Sequence, residues 1–239
     1  LPMGQYAAAI LPPGNTTIVQ AKALLQGPYN PQTDNMSTTL RTVNLLPVAQ
    51  PYNRLPWNYA GIENIATTDN IPTDAVDWIL LEMRDATGTT IVEQKAAFLL
   101  KDGRVVDTYG FSTDGVRFQH LQNNSLYRLI VRHRNHLAIM SAPIMVSNGT
   151  WEYDFTLMAT QAVDGKQVSL GNGRYGMYAG DFNANGVISV SDNARYINQA
   201  SILNQYIDAD CNFDRMVSVK DMNLYLPNAS QIGVPEVRY

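Results

Sequence analysis

The sequence predicts a mainly β protein in two parts, an antiparallel β-sandwich followed by a small helical domain that binds calcium. Three observations predict this. Short runs rich in Val, Ile, Leu, Thr and Tyr alternate with turn residues through the first two thirds of the chain. Helical periodicity first appears near residues 192–203 and 221–226. Just ahead of each helical stretch stands a twelve-residue segment with Asp or Asn at alternate positions.

Composition bounds the function. The chain has 239 residues, 45% hydrophobic and 16% charged, with a net charge of −4. That supplies a core and too little charge for a disordered tail or a coiled coil. An acidic balance argues against nucleic acid, whose phosphates select a basic face. No apolar run approaches the roughly 20 residues of a membrane helix. Cys211 is the single cysteine, so no internal disulfide forms. At position 2 of its loop it is expected to point away from the ion, into solvent. The sequence starts at Leu1 rather than Met, as after removal of a signal peptide or in a fragment.

The elements follow in order. Residues 1–14 form a Pro-bounded apolar arm outside the sandwich pattern. It either donates a strand to a neighbouring copy, which builds head-to-tail filaments, or folds on its own domain. Residues 15–163 carry strand patterns at Thr16–Leu25, Val76–Met83, Thr90–Leu100, Leu126–His133, Ala138–Val146 and Glu152–Met158. Close spacing without intervening helices gives an immunoglobulin-like sandwich. Lys101-Asp102-Gly103-Arg104 reads as a two-residue hairpin. Residues 26–75, rich in Pro, Asn and Tyr, are expected to be irregular. Gly165, Gly171, Gly173 and Gly176 mark a linker at 164–178, and residues 179–239 form the second domain.

The chemistry lies in that second domain. A hard cation takes six to eight oxygens, and alternate side chains of a tightly curled loop converge on one centre. Asp181, Asn183 and Asn185 occupy positions 1, 3 and 5 of the first loop. Gly186 makes the tight turn, Val187 offers its carbonyl at position 7, and Asp192 closes position 12. The second loop repeats the pattern with Asp210, Asn212, Asp214, Met216 and Asp221. The alternative is a pair of Asx-turns without metal. Residues 171–239 hold seven acidic and five basic residues, so without cations the carboxylates repel one another.

Asp at position 12, and a helix after each loop with no clear entering helix, resemble the type I dockerin family over residues 178–228. The resemblance implies two calcium ions and a folded helix pair that contacts a cohesin or a neighbouring module. Two features depart from it. Arg215 stands where position 6 takes Gly, and positions 10 and 11 hold Val190-Ser191 and Val219-Lys220 in place of small hydroxyls. The second site is therefore expected to be the weaker one, and cohesin recognition is not supported.

Residues 18–180 are similar to an uncharacterised β-sandwich module of large secreted surface proteins of Bacteroidota-like bacteria. The stretches that carry this are Gln50–Gly61, Val76–Asp85 and Tyr127–Ser141. The similarity implies an extracellular, non-catalytic surface role. No Gly-x-Ser-x-Gly, His-Glu-x-x-His or phosphate-loop motif argues for an enzyme. His133 and His136, read as one strand, point to opposite faces and cannot share a metal. Tyr52, Trp57 and Tyr59 are candidate glycan contacts, against the alternative that they plug one end of the sandwich.

The sequence thus predicts a calcium-dependent structural or adhesive protein, extracellular or at the cell surface. Its partner is another copy of itself or another surface protein. A carbohydrate-binding module with a dockerin, acting on polysaccharide, is the second reading.

Overall fold

A computed structural model of the chain describes residues 16–108, 115–147 and 149–239, so the arm at 1–14 lies outside the described residues. In chain order the strands are β1 (Thr17–Lys22), β2 (Tyr29–Asn30), β3 (Asn35–Met36), β4 (Ala75–Asp85), β5 (Ile91–Leu100), β6 (Val105–Val106) and β7 (Val116–Phe118). They continue with β8 (Ser125–His133), β9 (His136–Met140), β10 (Ile144–Val146), β11 (Gly149–Asp154), β12 (Val168–Gly171) and β13 (Arg174–Gly176). The helices are α1 (Thr39–Thr42), α2 (Val190–Gln199) and α3 (Val219–Asn228).

Two sheets share one core. One runs β11-β1-β7; the other runs β10-β8-β4-β5-β6, with β9 also paired to β8. Val19, Ala21, Val116 and Phe118 of the smaller sheet join Ile79, Leu81, Leu99, Leu129 and Val131 of the larger in a single buried cluster. Mainly β architecture is therefore as expected, but the pairing is not wholly antiparallel. β1 pairs in parallel with β11 along its whole length, Thr17 opposite Gly149 to Lys22 opposite Asp154. Alternation along a strand fixes which face is buried and says nothing about the partner. The first and last strands of the sandwich meet here across a long crossover.

β4 is buried along almost its entire length. Both its edges are taken, by β5 and β8. The long 26–75 segment covers it further: Tyr52 Oη donates to the Trp78 carbonyl at 2.8 Å and Trp78 Nε1 to the Pro47 carbonyl at 2.8 Å. That segment is mostly irregular, as its composition predicts, and Tyr29, Leu40, Leu46, Tyr52 and Ile71 anchor it in the main core.

Local corrections have simple causes. In the β5–β6 connection Leu100 N donates to the Arg104 carbonyl at 2.8 Å, so its loop is three residues long rather than two, with Gly103 at φ +86°. Glycine at the left-handed position is the usual form of a three-residue hairpin. The run Ala138–Val146 divides into β9 and β10, both on β8. Residues 164–178 carry the β12–β13 hairpin, whose far end bridges Met177 to Leu25.

Candidate metal loops and the sandwich–tail junction

Residues 181–231 carry an internal duplication with a period of 29 residues, visible in the helix caps and in the main-chain hydrogen bonds. Ser189 and Ser218 cap α2 and α3, and Asp192 and Asp221 return the capping-box bond. Ile188 N donates to the Gln231 carbonyl at 2.9 Å and Ser230 N to the Ile188 carbonyl at 2.8 Å; Val217 N to the Ile202 carbonyl at 3.1 Å and Ser201 N to the Val217 carbonyl at 2.9 Å are their repeats. Each loop is thus paired with the segment that follows the other loop's helix, and the two halves are interlocked.

Within each loop, main-chain amides converge on the predicted ligands. In the first, Asn185 N and Gly186 N donate to the two Asp181 oxygens at 3.0 and 2.9 Å. Asn183 N and Ser189 N donate to the two Asp192 oxygens at 3.1 and 2.9 Å, and Val187 N to Asn185 Oδ1 at 2.9 Å. The second loop repeats these bonds. Arg215 N donates to Asp210 Oδ2 at 3.0 Å, Met216 N to Asp214 Oδ1 at 3.1 Å, and Asp214 N to Asn212 Oδ1 at 2.8 Å. Asn212 N and Ser218 N donate to the two Asp221 oxygens at 3.3 and 2.9 Å, and Cys211 N also donates to Asp221 at 2.9 Å. The counterpart of the Asn185 N bond to Asp181 is missing, and among the described residues Asp210 Oδ1 is left buried without a hydrogen-bond partner.

Electrostatics sets these loops apart from ordinary Asx-turns. Asp181, Asp192, Asp210 and Asp221 are all buried. Among the described residues none of the four has a cationic side chain at ion-pair distance. Burial, with the Asp192 charge added, pushes Asp181 up to about 8. Burial pushes Asp210 up to about 6 against the pull of Arg134, and raises Asp192 and Asp221 as well. A buried carboxylate with spare lone pairs and no counter-charge suits a hard cation. Among the described residues no three His, Cys, Asp or Glu side chains form a metal-holding group, so a cation here would draw on Asn side chains and main-chain carbonyls as well. Asp214 in the second loop is also engaged by Lys220 Nζ at 2.8 Å. Arg215 adopts φ +75° where Gly186 adopts φ +85°, so the loop keeps its turn at a steric cost.

The tail is bound to the sandwich by two arginine clamps of the same design. Arg134, 1% exposed, donates from Nε to Asp77 Oδ2 at 2.8 Å, donates to the Ile207 carbonyl, and lies 4.3 Å from the Tyr206 ring centroid. Arg132 donates from Nε to Glu82 Oε2 at 3.1 Å and to the Val237 carbonyl at 2.7 Å, and lies 4.4 Å from the Tyr239 ring. Each clamp ties a buried acid of β4 to one of the two segments that follow a tail helix. Tyr206 Oη closes the first by donating to Asp77 Oδ1 at 2.6 Å. Composition and motif reading could not find the clamps, because each acid and arginine meet only through strand pairing.

His133 and His136 overturn the expectation that they face apart. Arg134-Asn135 is a two-residue turn, so the histidines are a cross-strand pair, with Nδ1 atoms 3.0 Å apart. His133 Nε2 lies 3.2 Å from Asp77 Oδ2 and His136 Nε2 2.8 Å from the Gln26 carbonyl. Burial lowers both pKa values, with the neighbouring ring lowering His136 further.

The glycan candidates are also corrected. Tyr52, Trp57 and Tyr59 are buried, Trp57 edge-on to Tyr52 at 5.1 Å and Tyr59 Oη donating to Glu63 at 2.6 Å. Their faces are spent on the core, as in the plug alternative. Cys211 is fully buried too, since its residue packs beneath the second loop with Ala209 and Val217.

No protein-family model matches the chain, and no curated protein matches it. Solved structures with some likeness include two interface mutants of a type II cohesin–X-dockerin complex from Acetivibrio cellulolyticus. One is mutated at its N-terminal and the other at its C-terminal interface. They are 13% and 12% identical to this chain, each with a TM-score of 0.42. The alignments cover 92% of this chain and 98% of theirs. Likeness at this level assigns no function to the chain.

Proposed function

We propose that the protein is a non-catalytic, calcium-stabilised structural module whose tail is locked onto its sandwich as one rigid block. The observation that carries this reading is the set of four buried, uncompensated carboxylates in two duplicated loops. Asp181, Asn183, Asn185, the Val187 carbonyl and Asp192 would hold one ion. Asp210, Asn212, Asp214, the Met216 carbonyl and Asp221 would hold the other. The ions would supply charge neutralisation and no chemistry. Dockerin-like loops of this kind, with few carboxylates per site, suit the millimolar calcium found outside cells, which supports a place at the cell surface.

The role is to present a fixed surface to another protein or to a second copy. Self-assembly through the arm at 1–14 belongs to the same proposal. The carbohydrate-binding reading has lost its three aromatic contacts to the core.

The test is calorimetric titration of the full chain with calcium, paired with thermal unfolding in millimolar calcium and in excess chelator. Two ions bound per chain and a higher unfolding temperature in calcium are expected. No heat of binding and identical unfolding in both buffers overturn the reading. Sedimentation velocity with and without residues 1–14 separates assembly from calcium binding: large species that vanish on removal of the arm support polymerisation, and a monomer throughout removes it.

A further inference from the structure

Asn135, at the tip of the β8–β9 turn, touches the start of both loops. Its carbonyl accepts from Gly180 N at 3.1 Å, one residue before Asp181. Its Nδ2 donates to the Asp208 carbonyl at 2.8 Å and to the Asp210 carbonyl at 3.0 Å. Both partners of Nδ2 are carbonyl oxygens, which fixes the amide's orientation, and the residue is fully buried, with Oδ1 2.8 Å from His136 Nδ1. A single sandwich residue therefore sets the main-chain position of the first ligand of each loop.

We propose that Asn135 is the positioning residue that couples the two calcium sites, an inference that rests on the calcium reading above. Filling either loop fixes its first ligand and so the strand or carbonyl that Asn135 holds. Asn135, locked by its three other bonds, then presents the opposite loop in its binding geometry. The ion that binds second finds its loop already ordered, and this is positive cooperativity between sites. The weaker second loop, with Arg215 at φ +75°, gains most from it. The main-chain bonds between the duplicated halves hold the tail together, but they join loops to post-helix segments and not the two loop starts to each other.

Calcium titration of the full-length Asn135→Ala variant tests this. The parent is expected to take up two ions in one steep transition. The variant is expected to take up two ions in separate steps, with the second weakened about tenfold, the loss of roughly one to two hydrogen bonds. Tyr206→Phe, which removes the 2.6 Å hydrogen bond from Tyr206 Oη to Asp77 at the same junction, weakens docking and leaves every Asn135 bond in place, so it is expected to keep the single transition. If Asn135→Ala binds as steeply as the parent, or Tyr206→Phe splits the transition equally, the inference fails.

Hydrogen exchange on the parent gives a reading that needs no substitution at 135. The Gly180 amide and the Asn135 side-chain amide protons are expected to gain protection at the same calcium concentration, and protection at concentrations tenfold apart overturns the coupling. A parent that binds no calcium at all is a different result and refutes the calcium reading itself.

Discussion

Arg134 and Asp77 meet at 2.8 Å with both side chains buried, and this pair joins the sandwich to the tail. Burial alone would raise the Asp77 carboxyl. The Arg134 charge, the bond and charge of His133 and the Tyr206 hydroxyl outweigh it and hold Asp77 at about 2. Removing one partner leaves the other as an uncompensated buried charge. Asp77→Ala is therefore expected to lower the unfolding free energy by about 3–5 kcal/mol. Denaturant unfolding followed by tryptophan fluorescence measures it, and a loss below about 1 kcal/mol would show that the pair is better hydrated than its burial implies.

The loop that departs from the repeat should be improvable. Arg215 holds φ +75°, a conformation that costs a residue with a side chain about 1 kcal/mol or more, and Gly186 shows what the position prefers. Among the described residues its guanidinium makes only an exposed 3.3 Å contact with Asn204. Arg215→Gly is expected to tighten calcium binding at the second loop several-fold. Calorimetry reads the change, and weaker binding would assign the Arg215 side chain a role in the site that its contacts do not show.

Trp57 separates core from ligand. It is buried against Tyr52, with Arg54 stacked 5.7 Å from its ring. Trp57→Ala should cost about 3–5 kcal/mol of stability, as for other large-to-small changes in a core. Retention on cellulose or xylan should be the same before and after the change. Retention by the parent that is lost in a still-folded variant would restore the glycan reading.

These residues also show where the sequence was legible. The duplicated loops were readable because tight turns and helix caps demand particular residues at fixed local spacing, and both copies keep their capping boxes and turns. Strand positions were readable for the same reason, since β4, β5 and β8 lie where alternation and turn residues placed them. What escaped depends on residues far apart in the chain. The parallel β1–β11 pairing and the Glu82–Arg132 clamp have no local signature. The histidine pair was misjudged because a two-residue turn without glycine, Arg134-Asn135, left an apparently continuous strand and reversed which faces the rings occupy. Aromatics in an irregular segment looked available to a ligand because composition does not reveal that the segment folds over β4.

The acid–base behaviour of the first loop gives the sharpest test of whether its carboxylates await a cation. In the folded chain without metal Asp181 is pushed up to about 8 by burial and by Asp192, while in the unfolded chain it titrates in the usual carboxylate range near 4. Between those values the folded state carries one proton more than the unfolded state. Its contribution is fully present below about pH 4 and is lost as pH rises through 8. The histidine pair, lowered from its ordinary value, acts mainly below about pH 7, where stability falls with acid. Asp210, pushed up to about 6, has also largely finished titrating by about pH 7, so Asp181 dominates from pH 7 to 8. In excess chelator the unfolding free energy is expected to drop by about 1 kcal/mol over that one unit. Saturating calcium replaces the proton, so the slope should vanish or reverse. Denaturant unfolding at several pH values, with and without chelator, measures both slopes. A flat profile in chelator would mean that Asp181 is already solvated or neutralised without metal, and the argument from its burial would fail.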